Sequence, residues 1–363
     1  HIEPEKLGSV LDHLKSLTSR ALFVVVATRP AVKHLADGRN AHLIIENAAW
    51  WRERFETLFE VKRWNVRDGN EIIALLSPRV EIGRLVTRSA VTDDLRVLQA
   101  KENIKKVSGR VQEHVSRGPA GHAMICAYGP TLRETWQTIA AERDVFLGSK
   151  IITCSGSHDF LIERGIVPDY HVEIDPREMK AHYTQNSHPD VHYLIASCCH
   201  PKMIDQLVAA KRHVSLFHVY SGEADLELLD IEPNTGLLAG GGSAGLRTMT
   251  LMFAMGYRSF SLRGMDSSYV SEDKVGQHAG VHIGKVHRAI DVRCGDRTFK
   301  SSLIMVAYAR FFLSTYKQLS QVCQLRGEEP LNEAGDYVHV VIHGDSLLAS
   351  MARAAGEPER EAA

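Results

Sequence analysis

The residues best suited to chemistry sit in five short turns: Gly129-Pro130-Thr131, Ser155-Gly156, Asp175-Pro176, Gly240-Gly241-Gly242-Ser243 and Gly264-Met265-Asp266. Four of them follow apolar runs of strand length, and the turn at 240–243 opens a helical pattern. A carboxylate just past the carboxyl end of a strand faces the crevice where open α/β sheets bind ligands, which makes Asp175 and Asp266 candidates for orienting a ribose, holding a metal or taking a proton. Ser267 and Tyr269 follow Asp266 into the same region. Small-residue turns before helices leave backbone N–H groups free to cradle an anion. His278 offers a base that titrates near neutrality, although the chain has 19 histidines and most must be structural or exposed. The structural alternatives are plain: three glycines make a tight turn, and Asp175 caps the turn that follows it. None of these turns is a GxGxxG or a Walker sequence.

The elements that must position these residues follow from periodicity. In the stretch 239–279, Leu246, Met249, Met252, Phe253 and Met255 recur at helical spacing, and Gly256 is a natural stop. A strand at 259–262 comes next. Further strands are expected at 123–127, 151–154, 171–174, 194–197, 215–220 and 338–342, with helices at 135–141, 201–210 and 299–321. This alternation predicts an α/β fold, a Rossmann-like mostly parallel sheet flanked by helices. A smaller N-terminal α/β segment precedes it: a helix at 3–18, a doubly buried strand LFVVVA at 22–27, a helix carrying Trp50, Trp51, Phe55 and Phe59, and strands at 60–65 and 71–76 about an Asp68-Gly69 turn. The tryptophans read as core rather than as a ligand-stacking pair. Between 78 and 118, basic residues alternate with Leu95, Leu98, Ile104 and Val107, the pattern of an amphipathic linker helix with a solvated basic face. The expected domains are 1–80, a linker at 81–118, the main domain at 119–320, and a C-terminal strand with a frayed tail after Ala349 at 321–363.

Composition narrows the classes. A net charge of -1 over 363 residues argues against a nucleic-acid partner. Six cysteines without a CxxC pair read as buried thiols of a reducing, cytoplasmic setting. The apolar run at 303–313 is too short for a membrane span and is interrupted by Arg310, and no signal peptide is recognised. The first residue is His1, which suggests a processed or partial sequence. His278 and His282 stand at i, i+4, but no third zinc ligand has convincing spacing, and Gly276 and Gly280 favour a loop. His192, Cys198, Cys199 and His200 flank a run, YLIASCC, that reads as a buried strand.

Two resemblances rest on these residues. HIEPEKL, FVVVATRPA and DGRNAHLIIENAAWW resemble the post-cofactor half of class I S-adenosylmethionine methyltransferases. The Gly-rich loop and the acidic residue that hold the cofactor in that family are missing, so a complete methyltransferase is excluded for this chain. A half-sheet of that kind would expose a strand edge. Over roughly 95–320, the RVLQAKENI lead-in, GPTLRE, the turn at Ser155, VPDYHVEIDP, GGSAGL and LRGMDSSY with a following QHA resemble, in order and spacing, the 6-hydroxymethylpterin diphosphokinase MptE-like domain family. That family includes the Maf flagellin glycosylation factors.

The second resemblance implies a sialyltransferase-like α/β domain with a nucleotide-linked substrate at the strand ends. Gly129, Pro130, Thr131, Ser155, Gly156, Asp175, Gly242, Ser243, Ser267 and Tyr269 then bind nucleotide or substrate, with Asp266 or His278 as base. It divides by chemistry. Bacterial members move an acidic nonulosonic sugar from a CMP-linked donor to a hydroxyl of a protein or glycan. Archaeal members move diphosphate from ATP to 6-hydroxymethyl-dihydropterin with Mg2+, for which Asp175 would be a ligand. DSSY and QHA favour the sugar reading, and His343-Gly344-Asp345 is only a partial echo of the pterin enzymes' motif. A non-catalytic nucleotide- or sugar-binding module is the third possibility.

Overall fold

The structure is a computed structural model, and it describes residues 2–18, 21–78, 91–115, 121–146, 148–269 and 289–355. It divides into two compact units, His1–Leu85 and Val86–Ala363.

In the first unit, α1 (Leu7–Leu17) and α2 (Ala48–Leu58) bring Leu7, Leu11, Trp51 and Phe55 into one core. Asn47 caps α2 by accepting from the Trp50 N–H at 2.9 Å. Phe59 opens a strand rather than closing the helix: β2 (Phe59–Arg67) pairs antiparallel with β3 (Glu71–Pro78), which also pairs antiparallel with β1 (Leu22–Ala27). The sheet order is β1-β3-β2, with Asp68 and Gly69 at positive φ in the hairpin turn. The LFVVVA run is therefore not a doubly buried parallel strand. It is an edge strand with one face on the core, and Phe23 and Val25 on its other face stand 65% and 53% exposed. An apolar run reports burial on both faces only when both faces are covered.

The second unit opens with α3 (Asp93–Lys106), whose Thr92 cap accepts from the Leu95 N–H. Its orientation departs from the expectation in part: Ile104 and Val107 pack inward, but Leu95 and Leu98 are exposed, while Arg96, Gln99 and Asn103 are buried. Polar partners explain it. Arg96 is clamped by Asp225 at 2.8 and 3.1 Å, and the Asn103 amide donates to the carbonyls of Ser197 and Cys199. Such groups are tolerated in the interior because their hydrogen bonds are made there.

The main sheet is then laid down by β4 (His122–Cys126), β5 (Lys150–Cys154), β6 (Tyr170–Glu173), β7 (His192–Ala196), β8 (His213–Val219), β9 (Leu237–Leu238), β10 (Ser259–Arg263) and, late in the chain, a strand at His339–Ile342. Helices intervene as α4 (Leu132–Thr135), α5 (Ile139–Val145), α6 (Ser157–Ile162), α7 (Pro201–Ala209), α8 (Glu227–Ile231) and α9 (Ala244–Ala254). A hairpin absent from the sequence reading, β11 (Ile290–Cys294) and β12 (Arg297–Ser301), takes Phe299 out of the helix expected there, and α10 (Leu303–Leu325) starts after it. With the late strand as β13, the order is β13-β10-β4-β5-β6-β7-β8-β9, every pairing parallel. β4, β7 and the inner part of β10 are buried on both faces, and each buried Leu, Ile or Phe contributes roughly 1.5–3 kcal/mol. The first residues of the tail expected to fray after Ala349 belong to α11 (Leu347–Ala354), capped by Ser346 and buried through Leu347, Leu348, Ala349 and Ala352; residues 356–363 lie outside the described residues. Among the described residues no helix is long and apolar enough to cross a membrane.

Candidate functional site

β4 and β10 are neighbours, yet the chain leaves β4 toward β5 and leaves β10 toward β13. Their outgoing loops diverge, and this switch point is where a parallel sheet opens a crevice. A cleft of about 310 Å³ lies there. Among its lining residues are Gly129, Pro130, Ser155, Asp175, Gly242, Ser243, Asp266 and Ser267, brought together from five separate turns.

One wall is made by the loops after β4 and β10. The Ala127 N–H donates to the Arg263 carbonyl and the Gly129 N–H to the Gly264 carbonyl, both at 2.8 Å, so the two backbones stay paired beyond the strands. That approach requires glycine on each side. A Cβ on Gly264, which has φ +66°, would lie 2.3 Å from the Ala127 oxygen, and one on Gly129 would lie 2.4 Å from the Gly264 oxygen. Asp266 locks the pair. Its Oδ2 accepts from the Thr131 N–H at 2.8 Å, its Oδ1 from the Thr131 hydroxyl, and its carbonyl from Leu348 N–H at 3.1 Å. Asp266 is 5% exposed, and burial pushes its pKa up to about 6 against the lowering effect of the two Thr131 hydrogen bonds. Thr131 thus contributes by holding Asp266 rather than by lining the cleft.

The other wall follows β5 and β6. Ser155 sits at φ +55°, unusual for a residue with a side chain. Beside it, Gly156 makes room for a ring: a Cβ there would lie 2.3 Å from Cε1 of Tyr128. Of the two readings that the sequence left open for Asp175, the structure shows the turn cap. Asp175 accepts from the Arg177 N–H at 3.1 Å, as a turn cap does, and from the Arg177 guanidinium at 2.9 and 2.5 Å, while its side chain is 29% exposed. As a Mg2+ ligand it would supply one carboxylate; among the described residues no set of three His, Cys or carboxylate ligands converges on the cleft.

The floor is closed by α9 and α10. Ser243 caps α9 by accepting from the Leu246 N–H at 3.3 Å, so the positive end of that helix dipole faces the cleft. Gly242 lies against Tyr308 of α10, with a Cβ position 2.6 Å from the ring. Ser267 has φ +52° and its carbonyl accepts from the Ser301 hydroxyl at 2.7 Å. Tyr269 is 6% exposed, and its N–H donates to the Lys300 carbonyl; it lies outside the cleft lining. His278 and His282 lie outside the described residues.

Sequence reasoning missed Lys180, Tyr183 and Tyr308, which also line the cleft, and Glu173 behind its wall. Lys180 and Tyr183 come from a 3-10 segment, Glu178–Thr184, that has no periodic signal. Glu173 was visible only as an acid closing an apolar strand. It is 1% exposed, burial pushes its pKa up to about 8, and its Oε1 has no hydrogen-bond partner among the described residues. His171 stands 3.2 Å from it and is held down to about 3 by burial, so both side chains favour their neutral forms.

The fold and the cleft define the class: a Rossmann-like α/β domain with a crevice at its switch point. The family model described as 6-hydroxymethylpterin diphosphokinase MptE-like matches residues 98–272. The match starts at residue 98 and does not bear on the methyltransferase-like segment. Among solved structures, a Maf glycosyltransferase from Magnetospirillum magneticum AMB-1 is similar at 15% identity and a TM-score of 0.47, over 73% of this chain. The chain spans 41% of the length of that protein. No curated protein matches the sequence.

Proposed function

We propose that this chain is a nucleotide-dependent transferase that moves an acidic nonulosonic sugar from a CMP-linked donor to a hydroxyl acceptor. One observation carries the reading: the turns at 129–131, 155, 175, 242–243 and 266–267, which bear the family's motifs, converge on one cleft at the switch point of an MptE-like domain. In the transfer, the acceptor oxygen attacks the anomeric carbon of the donor, the bond from that carbon to the CMP phosphate oxygen breaks, and the acceptor proton passes to a base. The N-terminus of α9 and the Lys180 ammonium supply positive charge at the cleft for the departing phosphate. Asp175 is partly exposed and orients ribose by exchanging its Arg177 partner for a hydroxyl. Asp266, with both oxygens bound by Thr131, acts as base only if that grip loosens; His278 is the other candidate.

The second reading is ATP-dependent diphosphate transfer to a pterin alcohol, which the description of the matching family favours. It needs Mg2+, and Asp175 would have to leave Arg177 to hold it. The test is CMP release from a CMP-linked acidic sugar in the presence of hydroxyl acceptors. The sugar reading expects turnover by the wild type and at least a tenfold loss in Asp175→Ala. Turnover unchanged in both Asp175→Ala and Asp266→Ala would remove those residues from the mechanism. ATP consumption that requires Mg2+ and pterin would select the second reading, and ligand binding without turnover of either donor would mark a binding module.

A further inference from the structure

At the amino-terminal ends of β7 and β8 three imidazoles converge. β7 and β8 begin in register, so that His192 and His213 are paired residues, and their rings stack 3.6 Å apart at 8°. His114 closes the 3-10 turn Val111–His114 and meets the other two edge-on, with ring centroids 4.7 and 5.9 Å away. The crossing of the lead-in chain over β8 places it there. The Gly109 carbonyl accepts from the Leu216 N–H at 2.9 Å, and a Cβ on Gly109 would lie 2.6 Å from the Val214 oxygen, so glycine permits the approach. One ring nitrogen of each histidine lies within 4.8 Å of the others. Among the described residues none of the three forms an ion pair with a carboxylate. The Ser215 hydroxyl sits 2.9 Å from Nε2 of His192 and 3.2 Å from Nε2 of His114, which orients both rings.

Three converging imidazoles with no acid partner among the described residues are a donor set for a borderline-soft divalent ion. We propose that His114, His192 and His213 form a binding site for a divalent transition-metal ion of the zinc class, tying the lead-in segment to the start of β7 and β8. Tetrahedral coordination brings ligand nitrogens to roughly 3.4 Å of one another, given bonds of about 2.0–2.1 Å. His213 is exposed and free to turn that far, and a fourth position stays open to water. The site lies at the start of the strands, away from the cleft at their carboxyl ends, so its role is structural rather than a part of the transfer chemistry.

The probe is Co2+, whose visible d–d bands report tetrahedral nitrogen ligation, titrated into the chelator-treated full chain, with Zn2+ competition and melting temperature as second readouts. The expected result is one equivalent bound with tetrahedral bands that Zn2+ displaces, and a rise in melting temperature with Zn2+. His213→Ala changes an exposed side chain and leaves the fold intact; in it, and in His114→Ala, Co2+ affinity should fall at least tenfold, while His42→Ala in the other unit should bind as the wild type does. No bands in the wild type, or bands that survive both His213→Ala and His114→Ala, would overturn the proposal.

Discussion

Asp266 and Asp175 both follow a parallel strand into the same cleft, and they do opposite work. On the β4 and β10 side, Asp266 is buried and holds two backbones together through Thr131, at a place where Gly129 and Gly264 leave no space for a side chain. On the β5 and β6 side, Asp175 is partly exposed and paired with an arginine that is itself 41% exposed, next to Lys180 and Tyr183. The first wall is an architectural clasp. The second carries partly exposed charges, which under the proposed function would change partners when a ligand arrives. The same residue type after the same kind of strand therefore says little about role until burial and partners are known.

Substitutions should separate the walls: stability on one side, affinity on the other. The largest effect is expected beneath the clasp, where Arg263, one residue before Gly264, is fully buried against Glu142. Glu142 also accepts from Ser261 and stands 3.1 Å from Nε2 of His122. Glu142→Gln leaves that guanidinium without its countercharge and should cost about 3–5 kcal/mol in denaturant unfolding. A loss below 1 kcal/mol would mean that the clasp does not depend on its buried support.

A smaller effect concerns pH. The folded pKa of Asp266, about 6, lies above its ordinary value of 3.8. The protonated form is thus favoured by folding, and its contribution is complete below about pH 4 and is lost as pH rises through about 6. Asp266→Asn cannot titrate and keeps a donor and an acceptor for Thr131. Its stability relative to the wild type should improve between pH 4 and pH 7 by about 3 kcal/mol at most, from the size of that shift. A difference that stays flat with pH would show that Asp266 is ionised without penalty in the clasp.

The smallest change in stability is expected on the second wall. Lys180→Ala and Asp175→Ala alter partly exposed groups and should leave the unfolding free energy within about 0.5 kcal/mol. Nucleotide affinity should nonetheless drop at least tenfold in each, read by calorimetric titration. A variant on this wall that unfolds readily, or binds nucleotide as the wild type does, would erase the distinction between the walls.

Much of this was legible in the chain. The alternating strands and helices and the Gly-rich entry to α9 gave the parallel sheet, and the turns at 129, 155, 175, 243 and 266 do meet in space. What periodicity could not convey was partnership. Arg96 reads as a solvated base until Asp225, 129 residues away, is placed against it, and this buries Arg96 where Leu95 and Leu98 were expected to pack. LFVVVA reads as a central strand because sequence does not say how many strands flank it. Lys180 and Tyr308 reach the cleft from a 3-10 segment and a distant helix, neither of which carries a local motif. His114, His192 and His213 have no ligand spacing at all; strand register brings two of them together and a glycine crossing adds the third.

The central claim is that the cleft between the two walls binds a CMP-linked donor, and a thermal-shift comparison of CMP, CDP, ADP and ATP, each with and without Mg2+, tests it most directly. A ligand that binds only the folded chain raises its melting temperature, by about 2.7 kcal/mol of stabilisation at a hundredfold excess over Kd. The account predicts a selective rise with CMP that is indifferent to Mg2+ and is lost in Lys180→Ala. No rise with any nucleotide at saturation, or a rise confined to ATP with Mg2+, would contradict it.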